Sequence, residues 1–155
     1  MSVKTLLVGH ELFKSLPVHE VERISGFASA RSMDKGETIY RHDGKASHAF
    51  VLLEGRVRLL LPAHTGETNL SVGRVEKGEL FGIAPLLGMD RYTTTAVCDA
   101  ASSILALEAG PLLKVLREYP AVEARVMQTV ARAYLSRYEI LLARLQVILN
   151  QAAGG

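Results

Sequence analysis

A single cysteine, Cys98, is all the thiol chemistry this chain has. It excludes an internal disulfide and fits a reducing compartment, and it excludes an all-cysteine iron–sulfur cluster held within one chain. No uncharged apolar run reaches the roughly 18 residues that a membrane-spanning helix needs, so no membrane contact is expected. The N-terminus lacks a signal-peptide core, because Leu6-Leu7-Val8 is too short. A cytoplasmic protein is therefore expected. Charge of one sign is also scarce: the formal net charge is +2, which argues against a dedicated nucleic-acid binder. There is no P-loop and no Ser/His/Asp spacing for nucleophilic catalysis. No internal repeat or low-complexity linker divides the chain.

What is present is enough for one core-bearing domain plus an appended helix: 155 residues, 48% apolar and 22% charged. Ser15-Leu16-Pro17 followed by Val18, Val21 and Ile24 reads as a capped helix ended by Gly26, with Leu12 and Phe13 packing beside it. Strand candidates follow at 29–33 and 38–40, each bounded by turn residues. Ala49, Val51 and Leu53 share one face of the next strand and Phe50 and Leu52 the other, before the Glu54-Gly55 turn. Val57, Leu59 and Leu61 alternate with charged neighbours, Thr65-Gly66 closes a hairpin, and Leu70 and Val72 continue the pattern. Further strands are predicted at 92–98 and 103–107. Many short strands at regular spacing predict a mainly β fold with flanking helices, a double-sheet sandwich or jelly roll.

The period then changes. A short helix around Leu112–Leu116 ends near Tyr119-Pro120, and from Ala121 to Asn150 there is neither Gly nor Pro. Met127, Ala131, Tyr134, Tyr138, Leu141, Leu145 and Ile148 recur at steps of four and three, the seam of a coiled coil. Val122, Val126, Val130 and Ala133 make a second apolar stripe. One stripe is expected to cover the β-domain and the other to meet a partner helix in a homodimer. The expected organisation is a β-domain with N-terminal helices over 1–119, a dimerisation helix over 120–150 and a frayed tail over 151–155.

The stretch around which the rest is organised runs from Glu76 to Ala100. Glu76-Lys77-Gly78-Glu79 is a polar turn, Phe81 to Leu87 is a glycine-opened apolar segment with Pro85 in the first turn of a short helix, and a strand follows. Free amides at such a turn favour an anion. This layout resembles the phosphate-binding cassette of cyclic nucleotide-binding domains, as in CRP/FNR-type regulators. Asp34-Lys35-Gly36-Glu37-Thr38-Ile39-Tyr40, Ala46 to Phe50, and Leu53-Glu54-Gly55-Arg56-Val57 follow the same pattern in the same order.

The resemblance implies a double-stranded β-helix sensor domain, dimeric, that binds a nucleotide-like or other small effector and regulates transcription rather than catalysing a reaction. It implies cassette contacts from Gly82, Ile83, Ala84, Arg91, Tyr92 and Thr93, and purine contacts from Arg137 and Tyr138. Two departures count against cyclic AMP. The family's Phe-Gly-Glu reads Phe81-Gly82-Ile83 here, so the ribose-binding carboxylate falls on Ile83, which cannot accept a hydrogen bond. The phosphate-binding arginine aligns with Tyr92, one residue after Arg91.

CRP/FNR-type regulators continue past this helix into a helix-turn-helix domain, whereas this chain stops, so it reads as a sensor half or a stand-alone module and is not expected to bind DNA alone. The ligand is unknown from sequence, with a cyclic nucleotide or haem as candidates. A haem-binding gas sensor and a ligand-free dimerisation module are the alternatives. A cupin-type metalloenzyme ranks last: after His48 the second histidine such a site needs would fall on Phe50. The remaining histidines, at 10, 19, 42 and 64, read as surface residues, and Cys98 as a small buried hydrophobe.

Overall fold

Two strands, β3 (His48–Glu54) and β8 (Ser102–Glu108), are apolar on both faces, and the architecture follows from that. Ala49, Val51, Leu105 and Leu107 point to one side, Phe50, Leu52, Ile104 and Ala106 to the other, and the two sets belong to separate cores. The computed structural model describes residues 2–62 and 69–154. It contains two four-stranded antiparallel sheets. One has the order β1-β8-β3-β6, the other β2-β7-β4-β5, with β1 at Ala28–Met33, β2 at Thr38–Tyr40, β4 at Val57–Pro62, β5 at Asn69–Val75, β6 at Leu80–Phe81 and β7 at Thr95–Cys98. The jelly roll expected from the sequence is the fold observed. The Thr65-Gly66 turn lies outside the described residues.

The first core lies between the outer face of the β1-β8-β3-β6 sheet and the helices. Val21 and Ile24 of α2 (Val18–Ser25), Leu112, Val115 and Leu116 of α3 (Ala109–Arg117), and Val122, Val126 and Val130 of α4 (Pro120–Gly154) are all buried there. Each such side chain contributes about 1.5–3 kcal/mol by leaving water. The second core fills the space between the sheets.

Several local expectations change. An additional helix, α1 (Val3–Val8), forms where Ser2 caps it by accepting from the Thr5 N–H. Helix α2 has Pro17 at its cap position without a side-chain hydrogen bond, and Val18 is exposed on its first turn. Strand β4 slips register against β5 between Leu59 and Leu60, so Leu60 is buried beside Leu59 and strict alternation stops there. Strand β7 begins at Thr95 rather than Tyr92, because the preceding backbone bonds to the 43–46 loop instead: Asp43 N donates to Tyr92 O, Tyr92 N to Gly44 O, and Ala46 N to Asp90 O. Helix α4 runs through Gln151 to Gly154, where fraying was expected. Ala152 and Ala153 are the strongest helix formers, and no breaker precedes Gly154. No helix among the described residues is long and apolar enough to cross a membrane.

Candidate functional site

The cassette is built on a left-handed glycine. Gly82 follows β6 at φ 62°, and a Cβ there would lie 2.6 Å from Phe50 Cδ2 and 3.0 Å from Tyr40 Cε2. Only glycine lets the chain turn this close to those rings. A 3₁₀ turn, Ala84–Leu87, follows with Pro85 at its start, and Gly88 at φ 76° ends it. Among the described residues, the N–H groups of Ile83 and Ala84 have no hydrogen-bond acceptor.

The turn packs against aromatic side chains of the protein itself. Tyr40, Phe50, Phe81 and Tyr92 form one aromatic cluster, with centroid separations of 5.7 Å for Tyr40–Phe50, 4.1 Å for Tyr40–Tyr92 and 5.4 Å for Phe50–Phe81. The Gly82 N–H is directed at the Tyr40 hydroxyl, which lies 3.4 Å from Thr94 Oγ1. Burial pushes the Tyr40 pKa up to about 12, against the opposing influence of Thr94, Arg137 and the Gly82 amide. A neutral phenol thus sits where the cassette would present an N–H to an anion.

Of the residues singled out in the sequence, Gly82, Ile83 and Ala84 are contiguous at the turn, but their side chains diverge. Ile83 is fully buried in the helix-side core, while Ala84 belongs to the inter-sheet core. Tyr92 points inward, and its hydroxyl donates to His48 O at 2.6 Å and accepts from His48 N at 3.1 Å. Arg91 turns outward, bridges Lys45 and donates to Asp43 O at 3.1 Å. Thr93 is half-buried, and the inward threonine is its neighbour Thr94.

Helix α4 closes the arrangement. The stem of Arg137 lies over Gly73 of β5, its guanidinium sits 5.1 Å from the Tyr134 ring centroid, and its charge reaches Tyr40. Tyr138, the next residue, points to solvent at 58% exposure. Tyr134 is only half-buried, against the helix-side core, while Tyr138, Leu141, Leu145 and Ile148 are exposed.

Two participants escaped the sequence reading. Thr94 shares a face with Tyr92, Ala96 and Cys98, so strand alternation from Tyr92 identifies it. Tyr40 has no local signal, because its role depends on the missing side chain of Gly82, distant in sequence.

His10, His42 and His48 have local partners. His10 Nε2 bonds Gly78 O at 2.8 Å, His48 Nδ1 lies 2.8 Å from Ser47 Oγ, and His42 faces Asp43. No group of three or more His, Cys, Asp or Glu side chains among the described residues gathers as a metal-ligand set. Cys98 is buried, and burial raises its thiol pKa.

The model of the cyclic nucleotide-binding domain matches residues 30–119. Among solved structures, the sensor domain of the transcriptional regulator DNR from Pseudomonas aeruginosa superposes with a TM-score of 0.74 at 18% identity, covering 88% of this chain and 91% of that one. The catabolite activator protein of Thermus thermophilus gives 0.69 at 25% identity, covering 87% and 62%. The neuropathy target esterase sws of Drosophila virilis is 26% identical over 123 residues, 79% of this chain and 8% of that protein. Patatin-like phospholipase domain-containing protein 7 of Rattus norvegicus is 28% identical over 103 residues, 66% of this chain and 8% of that protein.

Proposed function

The chain belongs to the cyclic nucleotide-binding domain family, and on that premise we propose that it is a non-catalytic regulatory module of the CRP/FNR type. In this reading it is a homodimer through α4, and a small effector other than cyclic AMP acts at the Gly82–Thr94 cassette. The observation that carries the reading is the meeting of three elements at Tyr40: the Gly82 N–H, Thr94 and the charge of Arg137 all act on one buried hydroxyl. An effector that displaces this hydroxyl takes over the cassette amide and the field of Arg137 together, so its arrival is felt by the dimerisation helix.

Three features disfavour cyclic AMP. Ile83 supplies no acceptor for a ribose hydroxyl and is turned into the helix-side core. Arg91 is held on the outer surface by the Asp43 carbonyl. The Phe50 and Tyr40 rings press against the turn, 2.6 and 3.0 Å from where a Cβ of residue 82 would stand. An unpaired buried hydroxyl alone costs about 1–3 kcal/mol.

The output of such a module lies in another domain or another protein, in keeping with its share of its relatives. The matching segment is 62% of the Thermus activator and 8% of the Drosophila esterase. Calorimetry with cyclic AMP, followed by a thermal-shift screen of cyclic mono- and dinucleotides and small acids, tests the reading. Cyclic AMP should show no saturable binding tighter than about millimolar. The true effector at about 100 times its Kd should add about 2.7 kcal/mol of stability. Micromolar affinity for cyclic AMP overturns the reading. An intact dimer that responds to nothing in the screen replaces it with a ligand-free dimerisation module.

A further inference from the structure

On the other side of the Tyr40–Tyr92 wall, a second concavity opens at the edge of the sandwich where β1 and β2 lie, the edge strands of their sheets. It measures about 430 Å³, within the range of small-molecule sites. Its rim carries Arg31, Arg41, Lys45 and His48, and its floor is formed by Tyr40 and Tyr92. We propose that this cleft binds a small organic dianion, of the chemistry of a phosphate monoester.

Charge carries the first part of the argument. No carboxylate lines the cleft, and among the described residues Arg31, Arg41 and Lys45 form no salt bridge. Three acidic groups stand near the rim without lining the cleft: Asp43, Glu108 and the exposed Asp90, which lines a neighbouring concavity with Lys45. Asp43 lies against His42, and Glu108, across the β3–β8 pair from His48, is exposed. Three cations facing one concavity repel one another until an anion arrives, and a concave cationic surface also raises the encounter rate with anions. A second cluster of basic residues lining a cavity, Lys35, Arg56 and Arg74, shares it with Glu76 and Asp99, which sets this rim apart.

Geometry carries the second part. Arg31 is opposite Ile104 in the β1–β8 register, so it shares the inter-sheet face with that core residue. Its guanidinium lies 6.0 Å from the Phe50 ring centroid, a cation–π contact that aims the planar donor fork into the cleft. That fork matches two oxygens of a phosphate or carboxylate. Ser47 Oγ lies 2.8 Å from His48 Nδ1. With the serine hydroxyl donating there, the neutral ring keeps its Nε2–H as a further donor. The aromatic floor suits the organic part of the ligand.

The cleft shares the Tyr40 and Tyr92 rings with the cassette but is lined by none of Gly82, Ile83, Ala84 or Thr94, so a loss confined to Arg31 tests this site alone. Calorimetry at low ionic strength with phenyl phosphate as the probe tests it, with inorganic phosphate as a second arm that separates the anion from its organic part. The expectation is saturable one-to-one binding, tighter for phenyl phosphate. Arg31→Gln should weaken it about tenfold, the loss of one charge-assisted interaction. Arg74→Gln, which removes the same charge from another part of the barrel, should leave it unchanged, and circular dichroism confirms that both variants are folded. The proposal is overturned by the absence of saturable heat up to about 10 mM, by equal weakening in the two variants, or by an oligonucleotide that binds more tightly than phenyl phosphate.

Discussion

Tyr40 and Tyr92 stack with ring centroids 4.1 Å apart, yet their hydroxyls serve different backbones. Tyr92 clamps His48, donating to its carbonyl and accepting from its N–H. Tyr40 turns to the Gly82 amide and Thr94. The pair forms a wall between the cassette, which α4 approaches through Arg137, and the cationic cleft at the β1–β2 edge. A ligand on either side of the wall touches the same two rings.

The wall requires Gly82. Gly82→Ala must hold a left-handed φ of 62° and place a Cβ 2.6 Å from the Phe50 ring. Strain of about 1–3 kcal/mol adds to an overpacking cost of similar size. Chemical denaturation should show a loss of about 2–6 kcal/mol with the denaturant slope unchanged. A loss under about 1 kcal/mol would mean that the aromatic cluster yields easily and that the cassette is not held shut by it.

Alkaline pH should destabilise the fold through Tyr40. Its pKa is raised from 10.0 to about 12 by burial. Below about pH 10 both folded and unfolded chains keep the proton, and this contribution is whole. Between about pH 10 and 12 the unfolded chain releases it while the folded chain does not, so stability falls as pH rises, by on the order of 3 kcal/mol across the window. Tyr40→Phe should remove this limb, while Tyr92, also raised by burial, retains part of the alkaline loss. At neutral pH the same variant removes the contact of the phenol with Thr94 Oγ1, at a cost of about 0.5–1.5 kcal/mol. An alkaline limb identical in both proteins would place the titration elsewhere.

His48 reports on Arg31. Its pKa is lowered first by burial and then by the Arg31 charge, with Glu108 opposing. The folded state therefore favours the neutral ring, and the associated stability is lost as pH falls below about 6.5. Arg31→Gln should move the titration of the His48 ring protons towards the ordinary value, as read by nuclear magnetic resonance. An unmoved titration would separate Arg31 from His48 and break the rim of the proposed anion cleft.

Much of this architecture is legible in the residues. The opposed faces of 49/51/53 and 50/52 appear as the two cores because strand geometry alternates, and the Val122–Val126–Val130 stripe lies on the β-domain as a four-residue period requires. What was hidden depends on partners distant in sequence. Tyr92 to Thr94 reads as strand by composition, but the 43–46 loop takes the hydrogen bonds around Tyr92. Ile83 is recognisable as a departure from the family motif, yet its burial against the helices follows from the left-handed turn before it. The occupation of the cassette by Tyr40 required knowing which ring lies over the missing Cβ at Gly82, and no local pattern encodes that.

The dimer is the last prediction. On the C-terminal half of α4, Leu135, Tyr138, Leu141, Leu142, Leu145, Val147, Ile148 and Leu149 are 38–61% exposed. Within that set, Tyr138, Leu141, Leu145 and Ile148 continue the four-and-three spacing of a coiled-coil seam. Leu135, Leu142 and Leu149 recur every seven residues beside it, which widens the apolar face to about the 100° that a packed helix buries. Arg137 and Arg144 flank the other side. In a parallel pair the residue five positions before a flanking leucine crosses over it from the partner, so Arg144 lays its aliphatic stem over Leu149 of the second copy with its charge in water. Each buried Leu or Ile contributes about 1.5–3 kcal/mol, twice over by symmetry, which outweighs the cost of association, about 4–15 kcal/mol. Leu141→Glu with Leu145→Glu places like charges in the seam of both copies and should yield a monomer whose β-domain stays folded, because neither residue belongs to a core. Sedimentation equilibrium at about 100 μM distinguishes the outcomes: the unmodified chain should have the mass of a dimer and the variant that of a monomer, whereas an unmodified monomer at that concentration removes the dimer from the proposed function.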